Sequence, residues 1–115
     1  MDIRYTTGKI YKIVNIGYDM CYYGSTIQEL SSRMSTHRAN YKRFQVIGGK
    51  NVSVYRIFEE HTVDNCKIEL VESYPCKNRS ELESREGYYI RNNSCVIGDT
   101  SKKCIIFASL LYFFS

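Results

Sequence analysis

The chain has 115 residues, 43% of them hydrophobic and 24% charged, with 16 basic against 12 acidic residues and a net charge of +4. That is enough for one domain with a modest core, and a single proline with no low-complexity run leaves no place for a linker or a second domain. The start, "MDIRYTTGK", carries no signal peptide, and the longest apolar run, Cys104 to Ser115, is 12 residues, short of the roughly 20 that span a bilayer.

The cysteines are Cys21, Cys66, Cys76, Cys95 and Cys104. An odd number without CxxC spacing argues against a disulfide framework or a zinc site and for an intracellular, reducing compartment. Charge is segregated. Between Leu30 and Phe58 six bases (Arg33, Arg38, Lys42, Arg43, Lys50 and Arg56) stand with no acid, whereas Glu59 to Glu86 holds eight acids and four bases. A segregated basic segment is the footprint of a phosphate-backbone binder, and it is equally what a solvated face would carry.

In chain order, "KIYKIVN" (Lys9 to Asn15) and "MCYYGST" (Met20 to Thr26) are rich in β-branched and aromatic residues. The intervening "IGYD" supplies a turn, so the pair reads as a β-hairpin. From Ile27 to Arg43 the period changes, with Leu30, Arg33, Met34, His37 and Tyr41 recurring at spacings of three and four, one stripe of a helix. "VIGGKN" reads as a loop and Val52 to His61 as a short helix with Val54, Ile57 and Phe58 inward. Lys67 to Tyr74 reads as a strand stopped by Pro75. Ser80 is a candidate N-cap for a helix from Glu81 to Asn93. The fold class is α/β (α+β): a small three-stranded, at least partly antiparallel sheet flanked by helices, in the order β-β-α-α-β-α.

A four-residue hairpin loop at Ile16 to Asp19 sets Tyr11 opposite Gly24 and Tyr22 opposite Ile13. Tyr11 and Tyr22 then become diagonal neighbours on one face, beside a glycine that would let a ligand approach the backbone. The helices place polar groups on stripes that should be apolar: Arg33 and His37 on the first, Glu86 between Leu82 and Tyr89/Ile90 on the last. A buried carboxylate is costly unless it is paired or binds a metal. Singly, each residue also has an ordinary structural reading, an Arg33–Glu86 ion pair among them.

Taken together, "KIY" (Lys9 to Tyr11), "YYG" (Tyr22 to Gly24), Arg33-x-x-x-His37 and "ELESREGYYI" (Glu81 to Ile90) resemble the motifs of the GIY-YIG nuclease superfamily, in order and at its spacing, over about Gly8 to Val96. The chain is most similar in style to the standalone domains of large DNA viruses and to the catalytic halves of homing endonucleases, which implies a virus-encoded protein. The resemblance implies a catalytic domain over residues 1–96, an atypical apolar tail over 97–115, and metal-dependent hydrolysis of DNA phosphodiester bonds. It implies Tyr11 as general base, a role that positive charge from Arg33 or a metal would assist by lowering the phenol pKa from about 10. Tyr22 and His37 would position the water or relay the proton, Arg33 would stabilise phosphoryl charge, and Glu86 would hold one Mg²⁺ or Mn²⁺. Ser25 would hydrogen-bond the phosphate, and the basic segment with Arg38, Lys42, Arg43 and Lys50 would grip the DNA backbone.

One departure stands out. Ile97 occupies the place where the family carries an asparagine after the final helix. Either Asn93 substitutes, or the site works without it, or the altered C-terminus marks an inactive copy. Two classes therefore follow: a metal-dependent DNA endonuclease, and a catalytically impaired nucleic-acid-binding domain. With no room for a separate specificity domain, selection of a site would fall to a protein partner, a homodimer or DNA structure.

Overall fold

The computed structural model describes residues 3–92; Asn93, Ile97, Cys95, Cys104 and the apolar tail lie outside the described residues. After a 3-10 turn at Ile3–Thr7 the elements are β1 (Lys9–Asn15), β2 (Cys21–Thr26), α1 (Leu30–Ile47), α2 (Val54–His61), a 3-10 turn at Val63–Asn65, β3 (Cys66–Ser73) and α3 (Arg79–Asn92). The three strands form one sheet in the order β2-β1-β3, antiparallel throughout.

The sheet is sandwiched. On one face Tyr11, Ile13 and Ile68 pack against Met34 and Tyr41 of α1 and Val54, Tyr55, Ile57 and Phe58 of α2. On the other, Ile10, Tyr23 and Val71 pack against Leu82, Tyr89 and Ile90 of α3. Strand alternation accounts for the division, since neighbours along β1 and β2 point to opposite faces. Tyr11, Ile10, Ile13, Ile57, Phe58 and Ile90 are almost wholly buried, and truncating one of the larger aliphatic or aromatic side chains to alanine costs about 2–5 kcal/mol.

A bulge breaks the alternation in β3. Ile10 pairs with Glu72 and Tyr11 with Leu70, leaving Val71 as the extra residue. Val71 and Glu72 both turn to α3: Val71 packs with Tyr89, and Glu72 accepts hydrogen bonds from Arg85 and Tyr89. Two residues opposite one on the partner strand is the geometry that gives neighbouring side chains a common face.

Helix boundaries differ from expectation for local reasons. Thr26 Oγ1 accepts the Gln28 N–H at 3.0 Å, and Glu29 stays extended (φ −61, ψ 146), so α1 starts at Leu30 and not at Ile27. It runs past Arg43, taking in Val46 and Ile47, and stops at Gly48, whose φ of 86 is left-handed and whose N–H meets Phe44 O at 2.8 Å. Asn78, not Ser80, caps α3: its Oδ1 accepts the Glu81 N–H at 3.0 Å, and Glu81 Oε1 accepts the Lys77 N–H at 2.9 Å.

Candidate active site

The β1–β2 register pairs Tyr11 with Gly24 and Ile13 with Tyr22. Asn15 holds the turn that sets it: its Oδ1 accepts the Met20 N–H at 2.8 Å, its Nδ2 donates to Asp19 at 3.2 Å, and its carbonyl accepts the Tyr18 N–H at 2.9 Å. Tyr11 is fully buried, with its phenol lying across Gly24. A Cβ at position 24 would stand 2.5 Å from the phenolic oxygen and 2.6 Å from the carbon bearing it. The expectation that Gly24 opens the backbone to a ligand is thereby corrected: the glycine makes room for Tyr11.

α1 brings two polar residues to that phenol. Arg33 Nε–H donates to Tyr11 Oη at 3.2 Å, and Tyr11 Oη lies 2.8 Å from His37 Nε2. The oxygen accepts from Arg33, and in the tautomer of the neutral imidazole protonated on Nδ1 the phenol's own hydrogen goes to Nε2. Burial first, and Arg33 second, push the His37 pKa down to about 4, so at neutral pH the ring is neutral, with one nitrogen donating and the other able to accept. The ring of Tyr22, half-buried, meets His37 edge-on with centroids 6.0 Å apart, as the ring of Tyr11 does at 5.9 Å.

The Tyr11 phenol is raised above 10, not lowered. Burial outweighs the opposing charge and hydrogen bond of Arg33, and Glu86 adds to the rise. The expectation that Arg33 would bring the phenol down holds for the sign of its own contribution and fails for the net.

Glu86 arrives from the other face. Ser25, next to Gly24 on the edge strand β2, donates to Glu86 Oε1 at 2.6 Å. The edge is where groups from both faces can meet, and the Glu86 charge is felt at Tyr11 while the Arg33 charge is felt at Glu86. Burial, reinforced by Glu83, raises the carboxyl pKa against the opposing effects of Ser25 and Arg33. Ser25 was expected on phosphate; here it orients the carboxylate. The alternative structural reading of Arg33 and Glu86 as a direct ion pair does not hold here: Arg33 gives its Nε–H to Tyr11 and acts on Glu86 through space.

Sequence reasoning missed the group that fixes how α3 is turned. Arg85, adjacent to Glu86, donates from Nε to Glu72 Oε1 at 2.6 Å and from Nη2 to Glu72 Oε2 at 3.1 Å. Its guanidinium lies 4.5 Å, 5.1 Å and 5.6 Å from the ring centroids of Tyr88, Tyr89 and Tyr74. With Arg85 clamped to β3, the next residue, about 100° round the helix, is turned to Ser25. The bulge that delivers Glu72 has no signature in "KIELVES".

Among the described residues no three His, Cys, Asp or Glu side chains gather to hold an ion. A single carboxylate with one oxygen fixed by a hydroxyl still suits Mg²⁺ or Mn²⁺, provided substrate phosphate and water fill the remaining positions. Arg38, Lys42, Arg43 and Lys50 are exposed and do not converge on Tyr11; the first three lie on the outer part of α1 and Lys50 in the loop after it. Cys66 and Cys76 are free thiols, and no helix among the described residues is long and apolar enough to cross a membrane. No family model matches the chain, and no curated protein or solved structure matches it.

Proposed function

We propose that the protein is a metal-dependent endonuclease that hydrolyses DNA phosphodiester bonds, in the manner its GIY-YIG-like motifs imply. The observation that carries this reading is the hydrogen-bonded chain Arg33–Tyr11–His37, with the Glu86 carboxylate held beside it by Ser25. A phosphodiester docking at half-buried Arg33 draws the guanidinium from the phenol to its own oxygens and uncovers Tyr11. Tyr11 then takes a proton from the attacking water as it passes its own to His37 Nε2, which avoids a free phenolate; because burial holds the His37 pKa down to about 4, the imidazole carries that proton only in transit to the leaving oxygen or to solvent. The water oxygen bonds to phosphorus as the bond to the leaving oxygen breaks, and Arg33 stabilises the charge on the remaining oxygens. Glu86 would hold the Mg²⁺ or Mn²⁺, which supplies Lewis-acid stabilisation of the leaving oxygen.

A second reading, a non-catalytic nucleic-acid-binding domain, is favoured by the complete burial of Tyr11. A phenol satisfied by Arg33 and His37 also serves as a polar peg in the core. The two readings separate in a supercoiled-plasmid nicking assay with Mg²⁺, Mn²⁺ or chelator, wild type beside Glu86→Gln. Nicking that needs the metal and is lost in the variant supports the nuclease. No nicking by a folded, DNA-binding wild type supports the binder.

A further inference from the structure

Ser25 is a polar residue facing an apolar layer. It pairs with Ile10 across the β1–β2 ladder, and its side chain shares the face on which Ile10, Tyr23 and Val71 meet Leu82, Tyr89 and Ile90 of α3. Glu86 comes to the edge of that layer from α3, and Ser25 Oγ donates to Glu86 Oε1 at 2.6 Å. The Ser25 backbone N–H also favours the charged carboxylate. Two apolar side chains at positions 25 and 86 would pack there without a desolvation cost, so the fold alone has no use for the pair.

The contact divides the two carboxylate oxygens. Oε1 is committed to the hydroxyl, which leaves Oε2 as the oxygen for an ion. The other carboxylate felt at Glu86 among the described residues is Glu83, one turn earlier on the same side of α3. It too is engaged, its Oε2 accepting from Arg79 Nε–H at 2.9 Å. Chelation by both oxygens of Glu86, or by Glu83 as well, would each break a hydrogen bond that the fold already makes.

Ligand number is what separates the hard cations. Ca²⁺ takes about 6–8 oxygens and often both from one carboxylate, whereas Mg²⁺ is octahedral, keeps several waters and binds through one or two carboxylates. We infer that Ser25 determines metal specificity: by holding Oε1 it makes Glu86 a one-oxygen ligand and disfavours Ca²⁺ relative to Mg²⁺ and Mn²⁺. Ser25 acts through Glu86 and is a positioning residue. That an ion binds at Glu86 rests on the endonuclease reading; the division of its carboxylate rests on the Ser25 contact.

The test is backbone-amide NMR of the full chain without DNA, following the Gly24, Ser25 and Glu86 signals as magnesium chloride or calcium chloride is added, so that cleavage is not required. Ser25→Ala should bind Ca²⁺ several-fold more tightly relative to Mg²⁺ than wild type does. Ser25→Thr, which keeps the hydroxyl, should match wild type, and Glu86→Gln should abolish the shifts for both ions. The same spectra show that each variant is folded. A Ca²⁺-to-Mg²⁺ ratio unaltered in Ser25→Ala, or altered as much in Ser25→Thr, would overturn the inference, as would loss of both ions from Ser25→Ala. Shifts absent from wild type, or surviving Glu86→Gln, would overturn it together with the metal role of Glu86. The expected ratios in a protein that never nicks DNA would instead count against the nuclease reading alone.

Discussion

Tyr11 and Gly24 face each other across the β1–β2 ladder, and the phenol of one fills the space where the other lacks a side chain. That relationship places the phenolic oxygen at the sheet's edge, within reach of Arg33 and His37 from one face and in the field of Glu86 from the other.

Gly24→Ala should therefore damage the site while leaving the hairpin register in place. The added methyl would meet the Tyr11 ring at 2.5 Å from its oxygen, and overpacking of this kind costs about 1–3 kcal/mol. Chemical unfolding measures the cost. The displaced phenol should lose its 2.8 Å contact with His37, and nicking should fall with it.

His37 makes stability depend on pH in a defined window. Its pKa is about 4 in the folded chain against 6.5 for the free side chain, so between those values the unfolded state binds more protons. Stability from this group is then intact above pH 6.5 and falls as pH drops towards 4, by about 3 kcal/mol in all. Urea midpoints of wild type and His37→Gln from pH 7.5 to 4 isolate it. The wild-type curve should fall more steeply, and parallel curves would show that His37 is not held neutral.

Glu86→Gln should separate activity from stability. The carboxyl is raised chiefly by burial, so removing its charge relieves a desolvation cost. The amide oxygen can still accept from Ser25. The melting temperature should hold or rise slightly while metal-dependent nicking disappears, the pattern of a group kept for function at the expense of stability.

Glu72→Gln tests the clamp on α3. The Glu72–Arg85 pair is half-buried and bidentate, and weakening it should speed amide exchange in α3 around Arg85–Ile90 while exchange in α1 stays unchanged. Nicking should then need a higher metal concentration, because Glu86 would no longer be held towards Ser25.

Much of the fold was legible because the informative residues act locally. The hairpin register followed from strand composition and loop length, and strand alternation then put Tyr11 and Tyr22 on one face. The stripe Met34–His37–Tyr41 followed from helical spacing. What stayed hidden depended on neighbours remote in sequence. The β3 bulge depends on which residues of β1 and α3 lie on either side of it, and "LVE" alone does not reveal it. Asn78 and Ser80 both suit an N-cap, and the return bond from Glu81 decides between them. Arg33 was read by charge alone, and burial proved the larger influence on the phenol.

The most direct test of the central claim is plasmid nicking by Tyr11→Phe beside wild type, both shown to be folded by their melting curves. The phenylalanine keeps the ring over Gly24 and removes only the oxygen between Arg33 and His37. Loss of general-base catalysis should slow nicking by about 10²–10⁴-fold, with DNA binding unchanged. Nicking by Tyr11→Phe at the wild-type rate would contradict the account and reduce the Arg33–Tyr11–His37 chain to a structural feature of the core.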